Sequence, residues 1–180
     1  MENDFYENLR YPIGKYQPPA IITDSQIRKW INQLEEFPMR LRAAVMGLTA
    51  EQLDTRYRSE GWTIRQVVHH LADSHLNSYV RFKLAITEET PTIRPYLEDQ
   101  WAECREARTA PIEVSLDLLE SLHTRLYMFL RSLEPEDFER AFIHPEQNKK
   151  MILKSVVGMY AWHGEHHLAH ILTTKKRNNW

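Results

Sequence analysis

Four separate runs of this chain place apolar residues three and four apart, and that spacing leaves little choice of architecture. In GWTIRQVVHHLADSHLNSYVRFKLAI, one stripe joins Ile64, Val67, Val68, Leu71, His75, Tyr79 and Phe82, the pattern of an amphipathic helix. Ile27, Trp30, Ile31, Leu34 and Phe37 make an earlier stripe, continued after Pro38 by Leu41, Ala44, Val45 and Leu48. Pro38 has no N–H and predicts a kink or restart there. Leu116, Leu119, Leu122, Leu126, Phe129 and Leu130 make a third stripe, and MILKSVVGMYAWHGEHHLAHILTT a fourth. Thr23 with Gln26, Thr49 with Gln52 and Thr63 with Gln66 have capping-box spacing, which marks helix starts. Glycine occurs only five times, too rarely for many tight-turned strands. The expected fold is all-α: a four-helix bundle in a single domain over residues 1–180, without strands. Pro12, Pro18 and Pro19 make residues 1–22 an extended arm. Pro91, Pro95 and Pro111 make 88–112 mostly irregular, a loop long enough to be functional, and a short turn is expected at 135–139.

Charge and cysteine content narrow the function classes. The formal net charge is −2 with both signs interspersed, so no basic surface for nucleic acid is expected. Cys104 is the one cysteine; it cannot form an intrachain disulfide, and nothing near it in sequence argues for reactivity. The N-terminal residues are polar and unlike a signal peptide, and no stretch approaches the ~18 apolar residues of a membrane span. The reading is a cytoplasmic protein with neither nucleic-acid nor membrane partners.

Nine histidines are present, and seven lie in two short windows: His69, His70 and His75 in HHLADSH, and His163, His166, His167 and His170 in HGEHHLAH. Residues four apart share a helix face. The stripe of Val156, Met159 and Tyr160 continues into His163 and His167, so these two imidazoles point into the bundle. Imidazoles buried there need partners, and a metal ion satisfies both. A third ligand should come from a facing helix. Phase alone leans toward His75, with His70 on the flank of its stripe. Glu165 lies two residues after His163, about 200° around the helix, so the pattern is not the HExxH of zinc proteases. His69, His166 and His170, and His75 where it is not the ligand, read as outer-shell or surface residues. His123 and His144 read as incidental, Trp30, Trp62, Trp162 and Tyr79 as core, and Asp73 as either a surface charge or a group orienting a ligand.

Three stretches together resemble the YfiT-like branch of the DinB family: RYPIGKY, GWTIRQVVHHLADSHLNSYVRFKLAITEETPTIRPY and WHGEHHLAHI. The resemblance spans nearly the whole chain. It places the early metal ligand on His70, directly before Leu71-Ala72-Asp73, in preference to His75, and the late pair on His163 and His167. It implies a four-helix bundle, one divalent metal per subunit (Zn2+ or Ni2+), a homodimer, and a small-molecule substrate. Members of this branch are labelled metal-dependent hydrolases, and related members transfer low-molecular-weight thiols such as bacillithiol.

Three neutral imidazoles leave the full charge of a divalent ion and an open coordination position. Water bound there becomes a hydrolytic nucleophile, and a bound thiol becomes a thiolate. The expected function is therefore a metal-dependent hydrolase, with a thiol S-transferase and a non-catalytic metal-binding dimer as alternatives. Walls for the substrate are expected from residues 88–112 and the N-terminal arm.

Overall fold

The computed structural model describes residues 2–146 and 148–180, with side chains from Tyr6 onward. In chain order the helices are α1 (Glu2–Arg10), α2 (Asp24–Val45), α3 (Ala50–Leu53), α4 (Ile64–Thr87), α5 (Glu98–Ala102), α6 (Arg105–Thr109), α7 (Glu113–Arg131) and α8 (Leu153–Arg177). The rods α2, α4, α7 and α8 form the four-helix bundle. α2 and α4 each pack against both α7 and α8, so the order around the bundle is α2, α7, α4, α8. Among the described residues no helix is long and apolar enough to cross a membrane.

Local signals start the rods where expected. Thr23 accepts a hydrogen bond from the Gln26 N–H at 3.2 Å. Thr49 and Thr63 complete reciprocal capping boxes with Gln52 and Gln66, each cap contributing about 1 kcal/mol. Arg140 donates to the Ala85 and Glu88 carbonyls and Lys175 to that of Ala44, which closes the C-terminal ends of α4 and α2. Pro38 neither kinks α2 into two helices nor restarts it; α2 runs through. The missing N–H leaves the Leu34 carbonyl without its usual donor four residues on, and His123 Nδ1 of α7 stands 2.5 Å from that oxygen instead.

The buried apolar residues form two clusters at opposite ends of the bundle. One gathers Trp30, Phe82, Leu126, Leu153 and Val156 with their neighbours. The other gathers Phe37, Leu41, Ile64, Leu71, Leu119 and Ile171. Between them every rod turns polar at the same level: the Leu34 carbonyl on α2, His70 and His75 on α4, His123 on α7, and His163 and His167 on α8.

Three expectations are corrected. Residues 1–22 are not extended throughout: Glu2–Arg10 form α1, because the helix ends ahead of Pro12 and only the residues after it carry the proline restriction. Residues 88–112 are less irregular than read, since α5 and α6 lie within them. A strand pair is also present, β1 (Ala141–His144) antiparallel to β2 (Lys149–Ile152), so Met151 and Ile152 precede α8 rather than begin it. Ala141 and Phe142 are both buried, which erases the alternation by which a half-buried strand is read. Ile143 exchanges main-chain hydrogen bonds with Pro91 and Ile93, pinning the start of the 88–112 segment to this hairpin.

Candidate metal centre

His70 projects from α4, and His163 and His167 from successive turns of α8. Each offers one nitrogen, and these three atoms lie within 4.8 Å of one another. Nε2 of His70 and Nε2 of His163 are 3.3 Å apart. Two nitrogens on a tetrahedral zinc at about 2.0–2.1 Å stand about 3.3–3.4 Å from each other, so this pair already has the spacing of a coordination edge. Nδ1 of His167 is 3.4 Å from Nδ1 of His170, and its Nε2 makes no hydrogen bond among the described residues. The donor set therefore fits a borderline divalent cation.

Burial keeps these rings in the unprotonated form. Desolvation pushes His70 down to about 3. It also holds His163 and His167 well below the ordinary imidazole value, with neighbouring imidazoles adding to the effect. All three are neutral at physiological pH, the form in which imidazole binds metal. Among the described residues no carboxylate joins the cluster, so a bound dication would keep its charge.

Other histidines have defined places. His75 Nε2 is 3.3 Å from His163 Nδ1, and His75 Nδ1 is 2.9 Å from His123 Nε2. His75 thus lies behind the centre rather than in it. His123, read as incidental, is almost wholly buried in this network; the sequence signal was its position on the buried stripe of α7 and the orphan carbonyl that Pro38 creates. His69 is structural: Nδ1 is 2.7 Å from Ser115 Oγ and Nε2 3.3 Å from the Ala110 carbonyl. His170 stands 3.1 Å from the Arg10 carbonyl and stacks on Tyr57. His166 stacks on Trp162. Glu165 forms a two-pronged ion pair with Arg40 of α2, away from the centre. Asp73 makes no contact with the three imidazoles; burial, then the charge of Glu106, raises its carboxyl to about 6. Cys104 is exposed and free.

Two clefts reach the centre. One, about 400 Å³, is lined by all three imidazoles together with Trp62, Trp162, Arg10, Tyr11 and Arg58. The other, about 530 Å³, runs from His163 past Tyr160 and Arg81 to Tyr96 and His144. Glu98, Asp99, Trp162 and His163 line both. The 95–100 segment and the end of α1 thus supply the walls expected of them. Trp62, whose ring is 4.5 Å from that of His70, and Trp162 are walls of the site rather than core, a role that helical phase does not report. Glu98 is the acid that sequence reasoning missed. Partial burial, then Asp99, raises its carboxyl above the usual range.

A sequence model of the DinB superfamily matches residues 33–171. The chain belongs to this superfamily. It is 54% identical over 173 residues to a protein of Oceanobacillus iheyensis named a "putative metal-dependent hydrolase", covering 96% of this chain and 99% of that one. It is 51% identical over 173 residues to YfiT of Bacillus subtilis, which bears the same name, covering 96% and 97%. Its fold superposes on the solved structure of YfiT with a TM-score of 0.94, over 96% of this chain and 99% of that one. That structure is described as "a probable metal-dependent hydrolase with an unusual four-helix bundle topology". The DinB resemblance, the bundle and the kinship with proteins named as metal-dependent hydrolases are thus as expected from the sequence.

Proposed function

We propose that this chain is a metal-dependent hydrolase of small molecules, with His70, His163 and His167 holding one divalent cation, Zn2+ in first place and Ni2+ in second. The observation that carries the reading is the convergence of three neutral imidazoles, with no carboxylate among the described residues, at the junction of two open clefts. A divalent ion held this way supplies a Lewis acid and, from water, a nucleophile at neutral pH.

The chain's own groups do the rest. Trp62 and Trp162 flank the imidazoles and offer a substrate their aromatic faces. Arg81 Nε, Trp162 Nε1 and His144 Nδ1 are buried without hydrogen-bond partners, and all three residues line the larger cleft. A substrate oxygen would satisfy them once these side chains turn toward the cleft. Glu98, where the clefts meet, is the group placed to carry a proton, and its raised carboxyl brings it nearer to neutral operation.

A second reading rests on the presence of two clefts rather than one. It is a transferase that joins a low-molecular-weight thiol, of the bacillithiol kind, to an electrophile, with one reactant in each cleft.

An ester and amide panel run beside thiol conjugation to a model electrophile separates the readings. The proposal expects hydrolysis that chelation abolishes and Zn2+ restores, and a Glu98→Gln loss of about 10²–10⁴-fold in kcat. Metal-dependent conjugation with no hydrolysis would establish the second reading instead. Hydrolysis that survives complete chelation would overturn both.

A further inference from the structure

The two imidazoles that α8 brings to the centre are each backed by a file of histidines ending on a main-chain carbonyl. Behind His163 come His75 (3.3 Å), then His123 (2.9 Å), then the Leu34 oxygen (2.5 Å). Behind His167 come His170 (3.4 Å) and the Arg10 oxygen (3.1 Å). We propose that these files fix the tautomers of His163 and His167, so that each presents Nε2, with its lone pair free, to the metal.

A carbonyl oxygen only accepts, so the proton of His123 must sit on Nδ1, facing Leu34. Among the described residues no acid lies against His123, and burial keeps its ring neutral, so Nε2 carries a lone pair. His75 Nδ1–H must then donate to it, which leaves His75 Nε2 as an acceptor. His163 must donate Nδ1–H to that nitrogen, and its Nε2 is left bare 3.3 Å from Nε2 of His70. Coordination at His163 requires the same order of protons. A neutral imidazole bound to metal through Nε2 must carry its proton on Nδ1, and each successive ring must follow. The shorter file reads likewise: the Arg10 oxygen accepts from His170 Nε2–H, His170 Nδ1 accepts from His167 Nδ1–H, and His167 Nε2 is left free.

The anchors are products of the backbone. The Leu34 carbonyl lacks a donor because position 38 is proline, and the Arg10 carbonyl belongs to the last residue of α1. Phe37 seals the longer file, its ring 10° from parallel with His75 and 5.6 Å away. It reaches this position because residue 164 is glycine: a Cβ there would come within 3.0 Å of the Phe37 ring. His75 and His123 are therefore positioning residues. They touch no substrate and act through His163, as outer partners of metal-bound histidines do.

The inference rests on the metal-centre reading but not on hydrolysis, and its test uses no turnover. Two-bond ¹H–¹⁵N correlation spectra of histidine-labelled protein report each ring's tautomer directly, in metal-free and Zn2+-loaded protein. Expected are Nδ1–H rings at His123, His75 and His163 in both states, and an Nε2–H ring at His170. A Zn2+ competition titration gives affinity in parallel. His123→Leu is expected to bind Zn2+ about 10–100-fold more weakly. His123→Gln, whose amide can still donate to Leu34 and accept from His75, is expected to recover most of that loss. Nε2–H at His75 or His123, or a folded His123→Leu that binds as tightly as the wild type, would overturn the inference. Native tautomers in a wild-type protein that binds no Zn2+ would overturn the metal reading itself.

Discussion

Phe82 and His75 lie two turns apart on α4, and both are completely buried. Phe82 sits in an apolar cluster where any neighbour of the right shape is a satisfactory partner. His75 sits in the polar layer, where each ring nitrogen needs one specific partner and has it. The apolar ends of the bundle are specified by volume, and the layer between them by hydrogen-bond direction. Removing a residue from an end should therefore cost stability, and removing one from the layer should cost metal binding.

The largest effect expected is on metal content. His163→Ala or His167→Ala should take untagged protein from one Zn2+ per chain to none after dialysis, measured by elemental analysis, while the helical circular dichroism is retained. Full retention of metal in both variants would erase the distinction between layer and ends.

Phe82→Ala is the reciprocal case. It should destabilise by about 3–5 kcal/mol in urea denaturation with Zn2+ stoichiometry unchanged. Loss of metal alongside stability would mean that the ends and the layer are energetically one unit.

Acid should attack the layer first. Desolvation lowers His123, His166 and His170 to about 4 and His70 to about 3, and it holds His75, His163 and His167 well below the ordinary value. In the unfolded chain these rings take up protons near ~6.5, whereas in the folded chain they resist until the pH is far lower. Their stabilising contribution is present above ~6.5 and is lost as the pH falls from there through the folded values. Asp73, raised to about 6, works in the opposite sense: its contribution is present at low pH and lost as the pH rises through that value. Glu98, also raised, works with it, so two carboxyls oppose these seven imidazoles. The urea midpoint of metal-free protein should fall steadily between pH 7 and pH 5, and a flat midpoint would contradict the picture of a dry, neutral layer.

The smallest effect belongs to the surface. Arg40 and Glu165 join α2 to α8 near the layer but remain partly exposed. Arg40→Ala should cost no more than about 1 kcal/mol and should leave Zn2+ affinity within twofold. A larger change in affinity would show that the pair helps set the angle of α8 at the centre.

What could be read from the sequence divides along the same line. Periodic residues such as Ile64, Val67 and Leu71 announce their rods directly, because a helix face is a local pattern. Thr63 and Gln66 mark the start of α4 for the same reason. The late pair His163 and His167 was legible as an i, i+4 spacing, but phase could not choose between His70 and His75. Both are buried, and only the packing of α4 against α8 separates the ring beside Nε2 of His163 from the ring behind it. His123 stayed hidden because its meaning depends on a carbonyl 89 positions away, freed by a proline whose visible effect was expected to be a kink. The hairpin stayed hidden because four-residue strands with two adjacent buried residues carry no period.

Metal-edge X-ray absorption of untagged, Zn2+-loaded protein counts the imidazoles on the cation. Three imidazole nitrogens at about 2.0–2.1 Å are expected, with the outer-shell scattering of intact rings, reduced by one ring in His70→Ala. A wild-type spectrum with fewer than three imidazoles, or one unchanged by His70→Ala, would contradict the three-histidine centre.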